Sequence, residues 1–432
     1  MKINNISIKV RRFGPLENVS FKLAPMMIFT GKSSLGKSYA NYLVYYFLSS
    51  VCNGSLYDLV NKTIGDGENQ GVNTFNLDTF LDDLSEHVEL FMQKFLGDDE
   101  LKCDVAFKSS KRKRILSFEL RKIDNYIDNN EERSQIVHRL QQYELIIDGK
   151  RVNKSSSLEY AKSYLELILK DFVLGIYISR AVILPPGRGA FAGENFSIKK
   201  EVASSLNMYN YFFSDYDYGQ STRFRFPKDL VNELSERLLD LTSGGKLISV
   251  DGKQYLQITD TEKISLSAGA SSVKDLAPWL FYLKNHWFEP FSICLEEPEA
   301  HQHPSVTVQI ADVMAITMHM RSSNIFHLTT HSDYLLQRIN QLIKLGAIRR
   351  KDIGEYNNIC KERALENSSY LDAADIQAYY FSRNEKGKTV VESLKVTDDG
   401  IPMNSFFEVV SDLEEREEYI NATIYRLSKD PK

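Results

Sequence analysis

The sequence has few of the features that would place the chain in a membrane or outside the cell. Its four cysteines, Cys52, Cys103, Cys294 and Cys360, lie far apart and form no CxxC pair, so they support neither a disulfide framework nor a zinc site. No run of eighteen apolar residues occurs, and the opening MKINNISIKVRRFG lacks the apolar core of a signal peptide. We expect a protein of the reduced cytoplasm with no membrane contact.

The chain also lacks a large excess of either charge. Its formal net charge is −5, and 26% of its residues are charged and 43% hydrophobic, which is ordinary for a soluble globular protein. There is no internal repeat, no sustained heptad pattern and no low-complexity tract. The length of 432 residues suggests two or three domains, and any nucleic-acid-binding surface would have to be local.

A phosphate-binding loop stands near the start of the chain. Residues 3–10 and 17–23 predict an antiparallel strand pair, 26–30 a buried strand and 37–50 an apolar helix. Between this buried strand and the helix, the sequence TGKSSLGKS fits the pattern in which glycines let backbone N–H groups converge on phosphate at a helix N-terminus.

The loop assigns roles to particular residues. Lys37 is expected to reach the β- and γ-phosphates of ATP, and the Ser38 hydroxyl to bind Mg²⁺. A chance match in a glycine-bearing turn is the alternative, but the flanking strand and helix argue against it. The predicted nucleotide contacts are Gly31, Lys32, Ser33, Ser34, Leu35, Gly36, Lys37, Ser38 and Tyr39.

The character of the sequence changes after the first helix. We predict a loop over residues 53–76, a helix over 77–96, a hairpin over 102–122 and a helix over 158–174. These segments indicate an inserted subdomain of mixed, mainly helical structure over residues 51–179. Its basic run KSSKRKR, residues 108–114, is either a solvated face or a contact for nucleic acid or a phage protein.

The rest of the chain alternates strands and helices. The predicted strands are 181–184, 291–295 and 324–330, the last two each followed by a helix. The predicted hairpins are 246–260 and 376–396, and further helices are predicted at 227–242, 271–285 and 403–427.

An acidic strand end supplies the second set of functional residues. In FSICLEEPEAHQHP, residues 291–304, four buried residues lead into the acidic group. A carboxylate at the end of such a strand lies beside the phosphate loop. Glu296 is therefore suited to hold Mg²⁺ through water, and Glu297 to polarise the attacking water as the catalytic base.

The next strand ends near a histidine. In NIFHLTTHSDYLL, residues 324–336, His331 is placed to contact the γ-phosphate, and Ser332 or Asp333 to cap the following helix. His327 lies within the strand, where a satisfied core histidine is expected. Taken alone, His331 is equally compatible with a structural role, but its position after the acidic strand favours the site.

A small, flexible segment precedes another helix. The piece LSAGA, residues 266–270, can present a serine hydroxyl and N–H groups to a phosphate, which makes Ser267 and Gly269 candidate nucleotide contacts. An ordinary loop before a helix is the plainer interpretation of this segment taken alone.

The order and spacing of these four segments resemble the ABC-type ATPases, including their SMC-like branch, over residues 1–50 and 180–345. Ser267 lies 30 residues before Glu297, and His331 lies 34 after it, which suits that family. The resemblance implies a head-to-tail dimer or larger homo-oligomer, in which Ser267 and Gly269 contact the ATP of the facing protomer. ATP would then hold the dimer together and hydrolysis would release it.

Further segments resemble the single-chain ATPases of bacterial anti-phage systems, including the ATPase parts of the OLD, Septu and PARIS types. They are FGPLENVSF, LPPGR and EEPEAHQHP. The resemblance implies that Arg188 lies near the nucleotide, although a solvated turn arginine is an equal alternative. It places His301 and His303 between protomers rather than on a metal.

No set of TOPRIM metal ligands follows His331, so we expect a separately encoded effector, a nuclease or toxin.

Some residues depart from the family pattern. Ser33, Ser34 and Leu35 replace the usual Asn-Gly-Ser, Ala268 replaces a signature glycine, and Glu296 replaces the more frequent aspartate. We therefore expect ATP binding with slow hydrolysis, which suits a switch better than a motor.

We predict an α/β fold. An ABC-type ATPase head is built from residues 1–50 and 180–432, with the signature-bearing region at 200–285, and residues 51–179 are inserted into it. The predicted function is a regulatory or sensor ATPase of an anti-phage system, with a phage protein or DNA as its trigger. A DNA-processing ATPase of the recombination-repair kind is the chief alternative, and a scaffold that binds ATP with little turnover is another.

Overall fold

The computed structural model describes residues 3, 6–65, 71–127, 138–191, 238, 245–250, 253–286, 290–320 and 324–429. The strands are β1 (Ile6–Phe13), β2 (Leu16–Lys22), β3 (Met26–Gly31), β4 (Asn73–Asn76), β5 (Cys103–Ser109), β6 (Ile115–Ile127), β7 (His138–Ile147), β8 (Lys150–Ser155), β9 (Arg180–Leu184), β10 (Lys246–Val250), β11 (Lys253–Gln257), β12 (Lys263–Ser265), β13 (Phe291–Glu296), β14 (Ile325–Thr329), β15 (Ile376–Arg383) and β16 (Thr389–Leu394).

The helices are α1 (Lys37–Asn53), α2 (Ser55–Ile64), α3 (Leu77–Leu96), α4 (Leu158–Leu174), α5 (Ser271–His286), α6 (Pro304–Met320), α7 (Asp333–Lys351), α8 (Ile353–Arg363) and α9 (Asn404–Lys429). Short 3-10 turns lie at Arg188–Phe191, Leu266–Ala268 and Ala373–Asp375. The predicted helix over 227–242 falls outside the described residues, except for residue 238.

The central sheet has the strand order β16-β15-β3-β14-β13-β9. Neighbouring strands from β15 to β9 are parallel, and β16 pairs antiparallel with β15 at one edge. Every residue of β13 and β14 is buried, as expected for inner strands of a parallel sheet. Because parallel strands share a direction, the carboxyl ends of β3, β13, β14 and β9 lie at one edge, where ligands bind in open α/β sheets.

An antiparallel sheet in the order β2-β1-β5 joins the N-terminal strands to a strand from the middle of the chain. Phe21 of β2 contacts Phe29 of β3 and Tyr379 of β15 edge to face, with ring centroids 5.6 and 5.1 Å apart. These contacts fasten the N-terminal sheet to the central sheet beside the phosphate loop.

The middle of the chain is mixed in structure, as predicted. Three helices, α2, α3 and α4, accompany an antiparallel sheet in the order β4-β6-β7-β8. The helices predicted at 77–96 and 158–174 form over those residues as α3 and α4. Asn76 and Ser157 cap these two helices through side-chain oxygens that accept backbone N–H bonds.

The predicted loop over residues 53–76 is wrong, because α2 and β4 form within it. Leu56, Val60 and Ile64 recur at every fourth position and are buried. Their spacing outweighs the glycine and asparagine content that favoured a loop.

The predicted hairpin over residues 102–122 is also wrong. Two strands form there, but β5 pairs with β1, whereas β6 pairs with β4 and β7. Phe107 of β5 stacks on Phe47 of α1, with ring centroids 5.2 Å apart. This packing draws β5 to the N-terminal sheet, so tertiary contacts decide the pairing. The β7–β8 hairpin and α8 were not predicted.

The other predicted elements form close to their expected positions. They include the antiparallel pair β1–β2, the strands β3, β9, β13 and β14, the hairpins β10–β11 and β15–β16, and the helices α1, α5, α6, α7 and α9. The fold class is confirmed as α/β, with a phosphate-loop core sheet, flanking helices, antiparallel N-terminal strands and an inserted mixed subdomain. None of the helices in the described ranges combines the length and hydropathy that a membrane crossing needs.

Candidate functional site

The phosphate loop connects β3 to α1 in a conformation that requires glycine at two positions. Gly31 has a φ of +114° and Gly36 a φ of +95°. A Cβ atom on Gly31 would lie 2.2 Å from the Phe381 carbonyl oxygen, and one on Gly36 would lie 2.7 Å from Cγ of Pro15. Neither position can therefore accept a side chain without displacing its neighbour.

Ser34 also adopts the left-handed conformation, with a φ of +60°. The loops that this segment resembles have glycine at that position. A left-handed conformation costs a non-glycine residue about 1–2 kcal/mol, so the departure from the family pattern carries a local energetic cost. The loop nevertheless keeps the course that the motif predicts.

Tyr39 packs against the turn after β1. Its ring lies 4.9 Å from that of Phe13, centroid to centroid, and a Cβ on Gly14 would lie 2.4 Å from its Cε1 atom. The FGP segment, residues 13–15, thus packs against the start of α1 next to the phosphate loop.

Lys37 is buried, and its side chain folds back onto the phosphate loop. Its Nζ atom donates hydrogen bonds to the carbonyl oxygens of Gly31 at 3.0 Å and Lys32 at 2.7 Å. Burial lowers the Lys37 pKa to about 8, against the opposing influence of Glu297 and Glu296. A phosphate would offer this ammonium group a charged partner in place of the two carbonyls.

Glu296 ends β13 directly beside the loop, as predicted. Its Oε2 atom accepts hydrogen bonds from Ser38 Oγ at 2.5 Å and Thr329 Oγ1 at 3.1 Å, and its Oε1 atom accepts one from Asn41 Nδ2 at 2.6 Å. Burial raises the Glu296 pKa, although these three bonds favour the charged form. A cation at the carboxylate would offset the cost of burying it.

Ser38 and Glu296 fit a magnesium ion. The hydroxyl and the carboxylate are hard oxygen donors in hydrogen-bond contact, and Mg²⁺ in nucleotide sites takes one or two protein ligands besides phosphate and water. Within the described residues, no group of three or more His, Cys, Asp or Glu side chains is arranged to hold a metal. A site of this kind would be completed by the nucleotide.

Glu297 follows with an unusual backbone conformation and an accessible carboxylate. Its φ is +43°, and its N–H group lies 3.1 Å from the Thr329 carbonyl oxygen and 3.2 Å from Thr329 Oγ1. Its side chain is 44% exposed, and Oε1 lies 3.7 Å from Nε2 of His331. A half-exposed carboxylate in this position can reach a water molecule, which a buried one could not.

His331 lies two residues beyond β14, next to Glu297. Burial and the nearby Lys37 charge lower its pKa, and Glu297 partly offsets this. The imidazole is therefore neutral at neutral pH and can both donate and accept hydrogen bonds. Ser332 caps α7, accepting the Leu335 N–H, so the predicted cap is confirmed.

Glu299 is a site residue that the sequence reasoning did not assign. Its Oε1 atom accepts hydrogen bonds from Thr330 Oγ1 and from the His331 N–H, both at 2.7 Å. Its buried Oε2 atom has no hydrogen-bond partner among the described residues, and burial raises the Glu299 pKa. The carboxylate therefore fixes the segment that carries His331.

Asn41 and Thr329 were also missed, although both contact Glu296. Asn41 is a fully buried polar residue one helical turn after Lys37, among the buried apolar residues of α1. An amide at that position in an apolar helix was the available signal, because a buried polar side chain needs a partner.

Arg188 does not lie on a solvated turn. It is 2% exposed, and its guanidinium donates to the carbonyl oxygens of Asp275, Pro185 and Glu296. The solvated alternative is therefore wrong, and the arginine is a buried link behind the acidic strand end.

Ser267 and Gly269 lie on or next to the short turn that precedes α5. Ser267 Oγ is 2.8 Å from Ser265 Oγ, and the Gly269 N–H donates to the Leu266 carbonyl. Within the described residues, no hydrogen bond joins Ser267 to the phosphate loop of its own chain.

The two histidines after the acidic strand end have local partners. His301 Nδ1 lies 2.6 Å from Oδ2 of Asp275, and His303 Nδ1 lies 2.8 Å from Ser305 Oγ. His327 is fully buried as predicted, but it is not satisfied, because neither ring nitrogen has a hydrogen-bond partner in the described part of the chain.

Most of the basic run in the middle of the chain is neutralised locally. Lys108, Lys113 and Arg114 pair with acidic side chains, and Lys111 donates to the Phe172 carbonyl oxygen. Arg121 pairs with Glu119 at 2.6 Å. These contacts favour the solvated-face interpretation over a contact for nucleic acid.

Distant likenesses link this chain to solved structures. No protein-family model matches the chain, and no curated protein matches it. Among solved structures, an Smc head bound to the C-terminal winged-helix domain of ScpA aligns with 13% identity and a TM-score of 0.36, covering 91% of this chain and 97% of that one.

Two further SMC heads align at 10% identity. The head domain from Thermotoga maritima has a TM-score of 0.33 and covers 90% of this chain and 98% of that one. The Smc head from Pyrococcus furiosus with an extended coiled coil, bound to the C-terminal domain of ScpA, has a TM-score of 0.35 and covers 94% and 98%.

Proposed function

We propose that the chain is an ABC-type, SMC-like ATPase that binds ATP with Mg²⁺ and hydrolyses it slowly. Its head would comprise residues 1–50 and 180–432, with residues 51–179 inserted. The observation that carries the proposal is the convergence of three separate strand ends on one point. Ser38 contacts Glu296 at 2.5 Å, and His331 lies 3.7 Å from Glu297.

The more buried side chains of the site would hold the ligands, and the partly exposed ones would act on the attacking water and the γ-phosphate. The phosphate-loop N–H groups and Lys37 would hold the phosphates, and Ser38 and Glu296 would hold the metal ion. Bound Mg²⁺ would neutralise charge on the phosphate oxygens. The half-exposed Glu297 would orient and deprotonate the attacking water, and His331 would contact the γ-phosphate from the adjacent loop.

Ser267 and Gly269 would complete the site of a second copy. Ser267 lies on the turn before α5 and Gly269 next to it, and no hydrogen bond among the described residues joins Ser267 to the phosphate loop of its own chain. A head-to-tail pair of chains would place each turn against the nucleotide of the other, and ATP would thereby stabilise the dimer.

At the level of the cell, we propose a regulatory subunit of an anti-phage system that controls a separately encoded nuclease or toxin. The support is the combination of FGP, LPPGR and EEPE segments in one chain. A phage protein or DNA would be the trigger. The local neutralisation of the basic run lends no support to the DNA-processing alternative.

Complementation between two inactive variants tests the ATPase and its head-to-tail dimer together. Lys37→Ala removes the phosphate ligand and Ser267→Arg blocks the contribution to the partner's site, so each variant alone should be inactive. An equimolar mixture forms mixed dimers with one complete site, which should restore about a quarter of wild-type activity. Activity that stays at background in the mixture, while the wild type hydrolyses ATP, contradicts the shared site.

The regulatory role requires a partner. Glu297→Gln protein, expressed with its genomic neighbours and purified in Mg-ATP after nuclease treatment, should retain one neighbour-encoded protein in fixed ratio by mass spectrometry. Wild-type protein without nucleotide is the matched control. Recovery of DNA alone, and only without nuclease, would instead support the DNA-processing function.

A further inference from the structure

Arg188 is a buried, positively charged residue that contacts the backbone of Glu296 at the end of β13. Its Nε donates to the Asp275 carbonyl oxygen at 2.8 Å, and its Nη1 donates to those of Glu296 at 2.8 Å and Pro185 at 3.2 Å. Burial lowers the Arg188 pKa, but a guanidinium remains protonated in proteins. Such a buried cation is costly unless its bonds are kept, so these three carbonyls are held in fixed relation.

Asp275 of α5 connects two other segments through its side chain. Its carboxylate is buried, Oδ1 accepts the Gly189 N–H at 2.7 Å, and Oδ2 lies 2.6 Å from Nδ1 of His301. A Cβ atom on Gly189 would lie 2.3 Å from Oδ1, so only glycine allows this approach. One residue of α5 therefore binds both the segment after β9 and the segment after β13.

The peptide unit between Glu296 and Glu297 is held from both sides. Arg188 binds its carbonyl oxygen, and the carbonyl and hydroxyl oxygens of Thr329 accept its N–H. Because a peptide unit is planar, these bonds fix its orientation and thereby support the left-handed φ of Glu297. The direction of the Glu297 carboxylate depends on that backbone.

Asp275 lies one turn into α5, and α5 begins directly after the turn that carries Ser267. The first turn of α5 connects the two by continuous helical backbone and precedes the proline of that helix, Pro278. Movement of the Ser267 turn would therefore reach Asp275, then Arg188, and then the Glu296 carbonyl.

We propose that Arg188 and Asp275 are positioning residues that orient the Glu296–Glu297 peptide according to the position of α5. Contact of the Ser267 turn with the partner's nucleotide would then set hydrolysis in its own site. This inference rests on the proposed ATPase function and adds a route by which one site regulates the other.

The first test separates catalysis from binding. Arg188→Met keeps an unbranched apolar stem but is shorter and loses the charge and the donors, and Arg188→Lys keeps the charge. We expect kcat to fall about 10- to 100-fold for Arg188→Met, with partial recovery for Arg188→Lys, because a charge-assisted hydrogen bond is lost. KM and the affinity for ATP should change less than about threefold. Unchanged kcat in folded Arg188→Met would overturn the inference.

The second test addresses the coupling and avoids a variant that fails to fold. Asp275→Asn keeps the Oδ1 acceptor while removing the charge, and it is combined with Ser267→Ala in a double-mutant cycle of kcat. Ser267 also contacts the partner's nucleotide directly in the proposed dimer, so if both residues act through one route, the double variant should lose clearly less kcat than the product of the two single losses. Fully multiplicative losses would show independent roles and reject the route.

The wild type and Glu297→Gln separate the two levels of failure. If the wild type hydrolyses ATP no faster than Glu297→Gln, the proposed ATPase function falls, and this inference falls with it. If the wild type is active and Glu297→Gln is not, while Arg188 and Asp275 variants keep kcat, only the inference falls. Thermal unfolding of each variant checks that it is folded.

Discussion

Replacement of Glu299 should disorder the segment that presents His331. Glu299→Ala removes the acceptor for two hydrogen bonds of 2.7 Å, from Thr330 Oγ1 and the His331 N–H. A hydrogen bond to a charged group contributes about 1.5–3 kcal/mol. Because burial raises the Glu299 pKa, we take the lower end and expect the free energy of unfolding to fall by about 2–4 kcal/mol.

Part of this loss should appear in catalysis. If about half of it loosens His331 in the transition state, kcat falls about 5- to 30-fold, since each 1.36 kcal/mol is a factor of ten. The assays are steady-state ATP hydrolysis and chemical denaturation. Glu299→Gln is the matched control, because its amide oxygen can accept both bonds, and it should keep kcat within about threefold.

The pH dependence of stability gives an independent check. A carboxyl group whose pKa is raised in the folded state stabilises the fold most below its unfolded pKa, and this contribution is lost as the pH rises through the folded value. Glu299→Gln should therefore be more stable relative to the wild type at pH 8 than at pH 4. If Glu299→Ala kept the stability and kcat of the wild type, the proposed role of these hydrogen bonds would be refuted. Equal losses of stability and kcat in Glu299→Gln and Glu299→Ala would show that the charge of Glu299, rather than its hydrogen bonding, matters.

Three further predictions concern other residues. Because the Lys37 pKa is about 8, calorimetric ATP affinity should fall up to about tenfold per pH unit above 8, whereas Lys37→Arg should show little such dependence. Burial lowers the His327 pKa to about 3, so below about pH 6.5 only the unfolded state protonates this histidine. The free energy of unfolding therefore decreases as the pH is lowered. His327→Leu should remove about 3 kcal/mol of the loss between pH 7 and 4, and an unchanged slope would contradict this. Ser34→Gly should raise the free energy of unfolding by about 1 kcal/mol, whereas Ser33→Gly, where φ is not positive, should lower it.

The sequence was sufficient for the parts of the fold that depend on local signals. The phosphate loop is specified by its glycines, and the buried strands by apolar runs that end in polar residues. Because parallel strands end at one edge, Glu296 and Ser38 could be placed together although they are 258 positions apart. The predicted contact follows from topology rather than from sequence distance.

Sequence reasoning failed where a segment had two acceptable partners. The alternation in β5 and β6 fits a hairpin as well as the observed pairing, and the packing of Phe107 on Phe47 and Tyr46 of α1 favours the observed one. The same limit applies to Arg188. A turn arginine flanked by glycines is ordinarily solvated, and its burial depends on carbonyl oxygens from two distant segments that no local pattern reveals.

The buried groups at the site explain why the arrangement is suited to bind a charged ligand. Lys37 is buried with carbonyl partners alone, and Glu296 is buried with neutral hydrogen-bond donors alone. Burial disfavours the charged form of each. A nucleotide phosphate beside Lys37 and a cation beside Glu296 would relieve both costs at once. Each ligand would offset the cost of burying one of these groups, which fits the metal–nucleotide complex that we propose.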